Sequence, residues 1–372
     1  MGSKLRVYTF TFQFSRNYGA MLQAYALQTF LKNNGCDVQI VDYWPDYAKK
    51  NNHWYSVFAN KPTPGNFFRT LNIIRATTVF NLFKKRYLCF TRCCLLIADI
   101  ETLPPADVII AGSDQVWNPA LIGEYNDAYF LKFKTTAVKA SYAASAGQDH
   151  FSEEELKAFA EYTRNMDFIS VREKTFCEQL RRAGVPAAQH HLDPVFLLSR
   201  EDYRRISTCG VKGKYILVYY CDQEGLTDEA ALRLSKLHGN MPVYRIGKSR
   251  KAGITGIQYC TVNAFLGLID HAEYVVSSSF HATAFAVIFR KQFYAVCAGD
   301  RSSRLTSMLE QFGLADRYIS HRKELENLDK ASIDYAQHEQ IIEHNIEKAK
   351  EYLHLVLREA EYRNDETNAV AK

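Results

Sequence analysis

The chain is poor in glycine and proline, with 18 and 9 among 372 residues, far below what collagen-like or low-complexity sequences carry. No apolar run approaches the ~18 uncharged residues that a membrane-spanning helix needs. The nine cysteines include no CxxC pair. Cys89, Cys93 and Cys94 form the tightest group, but no second Cys or His cluster stands at zinc spacing, which predicts reduced, mostly buried thiols. There is no DxD motif and no His-rich ligand set, so neither a metal nor a cofactor is expected. The segment MGSKLRVYTFTF enters a strand pattern directly, without the h-region of a secretory leader, and the expected location is the cytoplasm.

What is present is a globular composition, 47% apolar and 23% charged, in a chain long enough for two domains. The net charge of +5 is unevenly spread. Between Tyr47 and Ala98 there is no Asp or Glu, while Lys49, Lys50, Lys61, Arg69, Arg75, Lys84, Lys85, Arg86 and Arg92 contribute nine positive charges. Phe67, Phe68, Leu71, Phe80 and Phe83 are interleaved with them, as in a basic amphipathic helix that meets an anionic surface. The alternative is a helical excursion packed on the first domain with solvated cations. No zinc-finger, RNP or helix-turn-helix signature accompanies the charge, so nucleic acid is not the expected partner.

Hydrophobic periodicity places a strand over Leu5 to Phe12, a helix over Tyr18 to Asn33 closed by Gly35, and a second strand over Val38 to Tyr43, which is a βαβ unit. The apolar runs VIIA at 108–111, KASYAAS at 139–145 and DFISV at 167–171 continue a parallel sheet, and Ser152 with Glu155 signals a capping box. A second series follows DPVFLL at 193–198: YILVYYC, a helix from about Thr227 to His238, PVYRIG, a helix over Thr261 to His271, then YVVSSSFHATAFAVIF and QFYAVC. The expected fold is therefore α/β, with two Rossmann-like domains facing across a cleft. Residues 1–198 form the N-terminal domain with a basic helical insertion at about 47–98, and 199–325 the C-terminal domain. Residues 326–372 form a long surface helix, from Ile333 to Tyr362, and a frayed tail.

Function in such folds gathers at the carboxyl ends of the strands. After the first strand, Asn17 and Tyr18 open a helix whose N–H groups suit a polar ligand, with an ordinary N-cap as the alternative. After VIIA, Asp114, Gln115 and Trp117 supply a carboxylate, an amide and an indole, a combination fit for sugar hydroxyls and a ring face; an Asx-turn beside a core Trp is the alternative. Arg172 follows a buried strand and must meet an anion, either a ligand or an internal acid such as Glu173. His281 stands at a helix start behind Ser277, Ser278 and Ser279, where it could bind an anion or exchange a proton. Arg301 and Arg304 open the next helix. Together these cations fit a small polyanion such as a phosphorylated carboxylic acid.

The segments NYGAMLQAYALQ (17–28), GSDQVWNP (112–119), SYAASAG (141–147), ISVREK (169–174), DPVFLL (193–198), SSSFHATAFAVIFRKQF (277–293) and SSRLTSMLEQFGL (302–314) together resemble the polysaccharide pyruvyl transferase family, over roughly residues 5 to 325. The resemblance implies a fold like that of GT-B glycosyltransferases. It also implies phosphoenolpyruvate as donor co-substrate and transfer of pyruvate, as a ketal, onto two hydroxyls of a sugar. That sugar would be a hexose on a lipid-linked intermediate of a capsular polysaccharide or exopolysaccharide. The family's donor-binding Arg and His fall on Arg172 and His281; its Lys falls on Arg301, with Arg304 able to share the role. The Arg-Leu pair that precedes the family His is Ser279 and Phe280 here, which leaves Arg290 or Lys291 to compensate. His281 is then expected to contact the donor or transfer a proton, and Asp114 to act as base on the acceptor, with Asn17, Tyr18, Gln115 and Trp117 around the sugar. A peripheral position at the inner membrane face, through 47–98, accompanies a lipid-linked acceptor. A nucleotide-sugar glycosyltransferase and a non-catalytic saccharide-binding protein are the competing readings.

Overall fold

A computed structural model describes residues 4–52, 64–123, 125–148, 150–220, 224–297 and 303–370. The chain divides into two compact units, residues 1–197 with 347–372, and residues 198–346. The stretch from 326 onward is thus shared between the two units.

In the first unit β1 (Arg6–Phe10), β2 (Asp37–Tyr43), β3 (Phe90–Cys94), β4 (Val108–Ala111) and β5 (Val138–Ser141) form a parallel sheet in the order β3-β2-β1-β4-β5. Bridges from Ala140 to Phe168 and from Ala144 to Val171 carry it on to β6 (Ser170–Val171) and β7 (Gln189–His190). The expected βαβ start is present. Asn17 caps the Tyr18–Asn33 helix by accepting from the Gly19 and Ala20 N–H groups, and Gly35 follows at φ +84°, a backbone region that glycine enters without steric cost. The Ser152 and Glu155 capping box is also formed.

The basic segment takes a different form from an inserted amphipathic helix. It is the crossover of a second βαβ unit, running from β2 through helices Asp46–Asn52 and Pro64–Tyr87 into β3, which pairs in parallel with β2. Phe80 and Phe83 of the long helix are buried, with Phe80 against Tyr18 and Phe83 against Tyr25. Ile74, Leu82, Lys85 and Arg86 face solvent. Phe67, Phe68, Leu71 and Lys61 lie outside the residues whose side chains are described.

The second unit holds a parallel sheet of β8 (Ile216–Tyr219), β9 (Val243–Ile246), β10 (Thr255–Ile257), β11 (Tyr274–Ser277), β12 (Gln292–Val296) and β13 (Tyr318–Ile319), in the order β10-β9-β8-β11-β12-β13. The C-terminal helix runs from Glu339 to Val370, so it starts later than expected and includes the predicted frayed tail as far as the described residues go. Its buried face, Ile342, Ala349, Tyr352, Leu353, Val356, Leu357 and Ala360, repeats at three- and four-residue intervals. Among the described residues no helix is long and apolar enough to cross a membrane.

Candidate active site

Each sheet reverses its strand order once. In the first unit the reversal lies between β1 and β4, and in the second between β8 and β11. At such a point the loops leaving two neighbouring strands diverge and leave room for a ligand beyond their carboxyl ends. The loop after β1 leads to Asn17 and Tyr18, the loop after β4 carries Asp114 and Gln115, and the loop after β11 carries His281.

In the first unit the backbone at β4 is tightly constrained. Gly112 adopts φ +112°, and a Cβ there would run into the Tyr142 carbonyl oxygen, so no side chain fits. Asp114 follows at φ +75°, half-buried, with Oδ1 accepting from the Gln115 N–H at 2.9 Å. Gln115 Oε1 accepts from Asn118 Nδ2 at 2.7 Å. Asn17 is exposed and Tyr18 half-buried, its ring 5.2 Å from that of Phe80. Asn17 performs the N-cap role, which engages its side-chain oxygen.

Trp117 does not take the position expected of a sugar platform. It is fully buried, donates from Nε1 to the Tyr129 carbonyl at 3.0 Å and stacks on Phe130 at 5.0 Å. Its large apolar area is better satisfied inside the core than at the sheet edge.

Arg172 likewise meets internal acids. Its side chain is 2% exposed, with Nη1 2.9 Å from Asp193 Oδ2 and Nε 3.6 Å from Glu173 Oε1. Burial alone would disfavour the guanidinium charge, but Glu173 and Asp193 outweigh it and raise the pKa. Ser145 donates to Glu173 at 2.5 Å, and the Ser113 hydroxyl donates to the Ala143 carbonyl and lies 3.2 Å from Asp193. Through Thr11, which donates to the Ser113 carbonyl and accepts from Gln23, this buried network reaches the helix that Asn17 caps. Asp193 is the central acceptor that sequence reasoning missed. The signal was available, because an acid between His191 and the apolar PVFLL must be paired. His190 and His191 flank it, and burial lowers their pKa values to about 4 and about 3.

In the second unit Ser279 caps the Phe280–Ile288 helix, accepting from the Ala282 N–H at 3.5 Å, and the Ser279 N–H donates to Ser277 Oγ at 3.0 Å. His281 occupies the first turn of that helix, half-buried, its ring edge-on to Phe280 at 5.2 Å. The free N–H groups and positive end of the helix favour an anion there. β12 is the neighbour of β11, and the Ser303–Gln311 helix that follows β12 carries Arg304 in its first turn, half-buried. Arg301 lies outside the described residues. Arg290 does not replace a missing donor cation, because it forms a two-point pair with Glu339 at 2.7 and 3.0 Å. Nor does Lys291, which donates to the Asp270 carbonyl at 2.8 Å. In the first unit a cavity of about 570 Å³ lined by Tyr8, Pro105, Ile109 and Phe133 lies beside the segments that lead into β4 and β5, at the opposite edge of that sheet from Asp114.

Comparison with solved structures bears on the fold. The chain is similar to UDP-GlcNAc 2-epimerase from Neisseria meningitidis bound to UDP-GlcNAc, at 10% identity, TM-score 0.51, covering 96% of this chain and 100% of that one. It is also similar to the S. aureus MnaA-UDP co-structure, at 10% identity, TM-score 0.50, with 93% and 91% covered. These likenesses agree with the expected GT-B-like α/β architecture. No curated protein matches the chain. The family model for polysaccharide pyruvyl transferase matches residues 17–297, from the Asn17 cap, through both strand reversals, to the end of β12. With that match over most of its length, this chain belongs to the polysaccharide pyruvyl transferase family and is an enzyme.

Proposed function

We propose that the enzyme transfers pyruvate from phosphoenolpyruvate onto two hydroxyls of a hexose, forming a cyclic ketal on a lipid-linked intermediate of a capsular polysaccharide or exopolysaccharide. The observation that carries this reading is the position of His281. It follows a run of serines at the strand-order reversal of the second unit, in the first turn of a nine-residue helix, which suits a doubly anionic donor and a proton-carrying group.

Protonation of the donor's methylene carbon makes C2 electrophilic. One sugar hydroxyl attacks C2 and the C2–O bond to phosphate breaks. The second hydroxyl then closes the ring, so that one proton ends in the new methyl group and the other on phosphate. We assign His281 to donor contact or proton transfer, Arg304 together with Arg301 to the donor anion, and Asp114 to the base that accepts a hydroxyl proton. Asn17, Tyr18 and Gln115 stand with Asp114 on the acceptor side. Arg172, enclosed by Asp193 and Glu173, acts by ordering the loops after β4 and β6 and not by gripping the donor directly. The reaction requires no metal or cofactor. The exposed Lys85 and Arg86 of the crossover helix would hold the protein at an anionic, cytoplasmic membrane face where such an acceptor resides.

The test is phosphate release from phosphoenolpyruvate against a panel of lipid-linked and aryl glycosides, with the product weighed by mass spectrometry. Release together with a ketal-bearing glycoside is the expected result, lost in His281→Ala with an unchanged circular dichroism spectrum. Wild-type turnover in His281→Ala removes the assignment, and release that requires a nucleotide sugar removes the reaction.

A further inference from the structure

The indole expected to cover a sugar is buried in the core, yet a second indole stands one strand away from the β1/β4 reversal. Trp44 immediately follows β2, the neighbour of β1, so it is displaced by a single strand spacing of about 5 Å. Unlike Trp117 it is half-buried. Its Nε1 donates to Asp42 Oδ1 at 2.8 Å and its ring leans on Phe14 at 5.7 Å, so the ring is held in one orientation by its edge and by a neighbouring ring.

Around it are polar groups with unused capacity among the described residues. Asp42 Oδ2 has no hydrogen bond or ion pair, while Oδ1 is engaged by the indole. Gln13 is 2% exposed and donates from Nε2 to the Tyr43 carbonyl at 2.6 Å, and its Oε1 has no donor. Lys84 comes from the crossover helix. It is half-buried, has no hydrogen bond or ion pair among the described residues, and feels the charges of Asp42 and Arg16. Burial, partly offset by Asp42, lowers its pKa to about 8, as expected for an ammonium removed from water without a close carboxylate. A ring face, a carboxylate oxygen, a carboxamide oxygen and an ammonium supply what a sugar asks for: an apolar platform for its C–H face, and both acceptors and donors for adjacent hydroxyls.

We propose that Trp44, Asp42, Lys84 and Gln13 form a saccharide subsite at the carboxyl edge of the first sheet, which holds a hexose unit of the acceptor with its ring on the indole and its hydroxyls on Asp42 and Lys84. This rests on the reading of the protein as a sugar-modifying transferase. It places part of the acceptor on the β2 side of the strand reversal, with Asp114 on the other.

The experiment uses the full chain and p-nitrophenyl hexosides as probes, with binding read by saturation-transfer NMR and turnover by phosphate release from phosphoenolpyruvate. Trp44→Ala, Asp42→Asn and Lys84→Met are compared with wild type, and the last two keep side-chain volume in case the first does not fold. The expected result is a tenfold or greater weakening of hexoside binding in each folded variant. Where turnover is measurable, the hexoside KM should rise by the same factor while the KM for phosphoenolpyruvate stays within twofold. Wild-type affinity in Asp42→Asn and Lys84→Met overturns the subsite, as does the absence of any hexoside signal from wild type. If hexosides bind through these residues but phosphoenolpyruvate releases no phosphate with any of them, the pyruvyl donor is wrong and the subsite stands.

Discussion

Arg172 Nη1 lies 2.9 Å from Asp193 Oδ2, with both side chains almost wholly removed from solvent. A pair of this kind adds little net stability when intact, because desolvation cancels much of the attraction, but removing one partner strands the other charge. Asp193→Ala is therefore expected to lower the unfolding free energy by about 3–5 kcal/mol, read from urea denaturation at pH 7. Arg172→Ala should cost a similar amount, since it leaves Asp193 and Glu173 facing one another. A loss below about 1 kcal/mol in both would show that the guanidinium is not structural.

Trp117 gives a test that separates core from ligand contact. Trp117→Ala should cost about 3–5 kcal/mol as a large-to-small core substitution, seen as a lower melting temperature. Trp117→Phe should recover most of that and keep the wild-type hexoside KM. A stable Trp117→Ala with a raised KM would instead return the ring to the sugar.

Gly112→Ala is expected to remove activity and to destabilise by at least about 2 kcal/mol. The methyl group meets the Tyr142 carbonyl, and φ +112° is strained for any L side chain. Ordinary melting and ordinary turnover in this variant would contradict the geometry of the loop that carries Asp114.

Stability should fall with acid over a defined window. His191 is 2% exposed, and its folded pKa of about 3 lies below the ordinary value of 6.5. Above pH 6.5 both folded and unfolded states are neutral at this residue and nothing is lost. Below it the unfolded chain binds the proton and the folded chain does not, so stability declines continuously toward pH 3, by on the order of 3 kcal/mol at pH 4. His190, lowered to about 4, acts in the same direction. His191→Gln should flatten the dependence of the urea midpoint between pH 7 and pH 4.5, and equal slopes would show that His191 is not the titrating group.

Lys85 and Arg86 face solvent on the crossover helix. Replacing both with serine should weaken sedimentation with vesicles of 30% anionic lipid by up to about 30-fold, as ~1 kcal/mol per cation implies, without changing turnover on a soluble glycoside. Unaltered sedimentation would separate the charge from membrane docking.

Several elements were legible because local chemistry and tertiary demand agree. The alternation of Leu5 to Phe12, the Asn17 cap, the Gly35 stop and the Ser152–Glu155 box each act within a few residues, and each reappears in the fold. The strand FTRCC was not legible. Its sequence has neither alternation nor a continuous apolar run, and it becomes a strand by pairing with β2. That pairing turns an apparent insertion into a crossover. At the site, sequence identified the strand ends that carry polar groups. It could not distinguish a buried Trp117 from an accessible Trp44, or decide whether Arg172 faces a ligand or Asp193. Those outcomes depend on residues between about 12 and 80 positions away that only the assembled fold brings close.

The C-terminal helix sets an order of events during synthesis. Tyr352 donates to the Ser141 carbonyl at 2.8 Å and Arg363 pairs with Asp167 at 2.6 Å, so a stretch synthesised after the whole of 198–346 completes the unit begun by 1–197. While the ribosome is still translating 198–346, the first unit lacks the covering for that side of its sheet and waits, partly open, for residues 347–372 to emerge. Nascent chains arrested before about residue 350 should therefore be degraded readily by protease at the first unit.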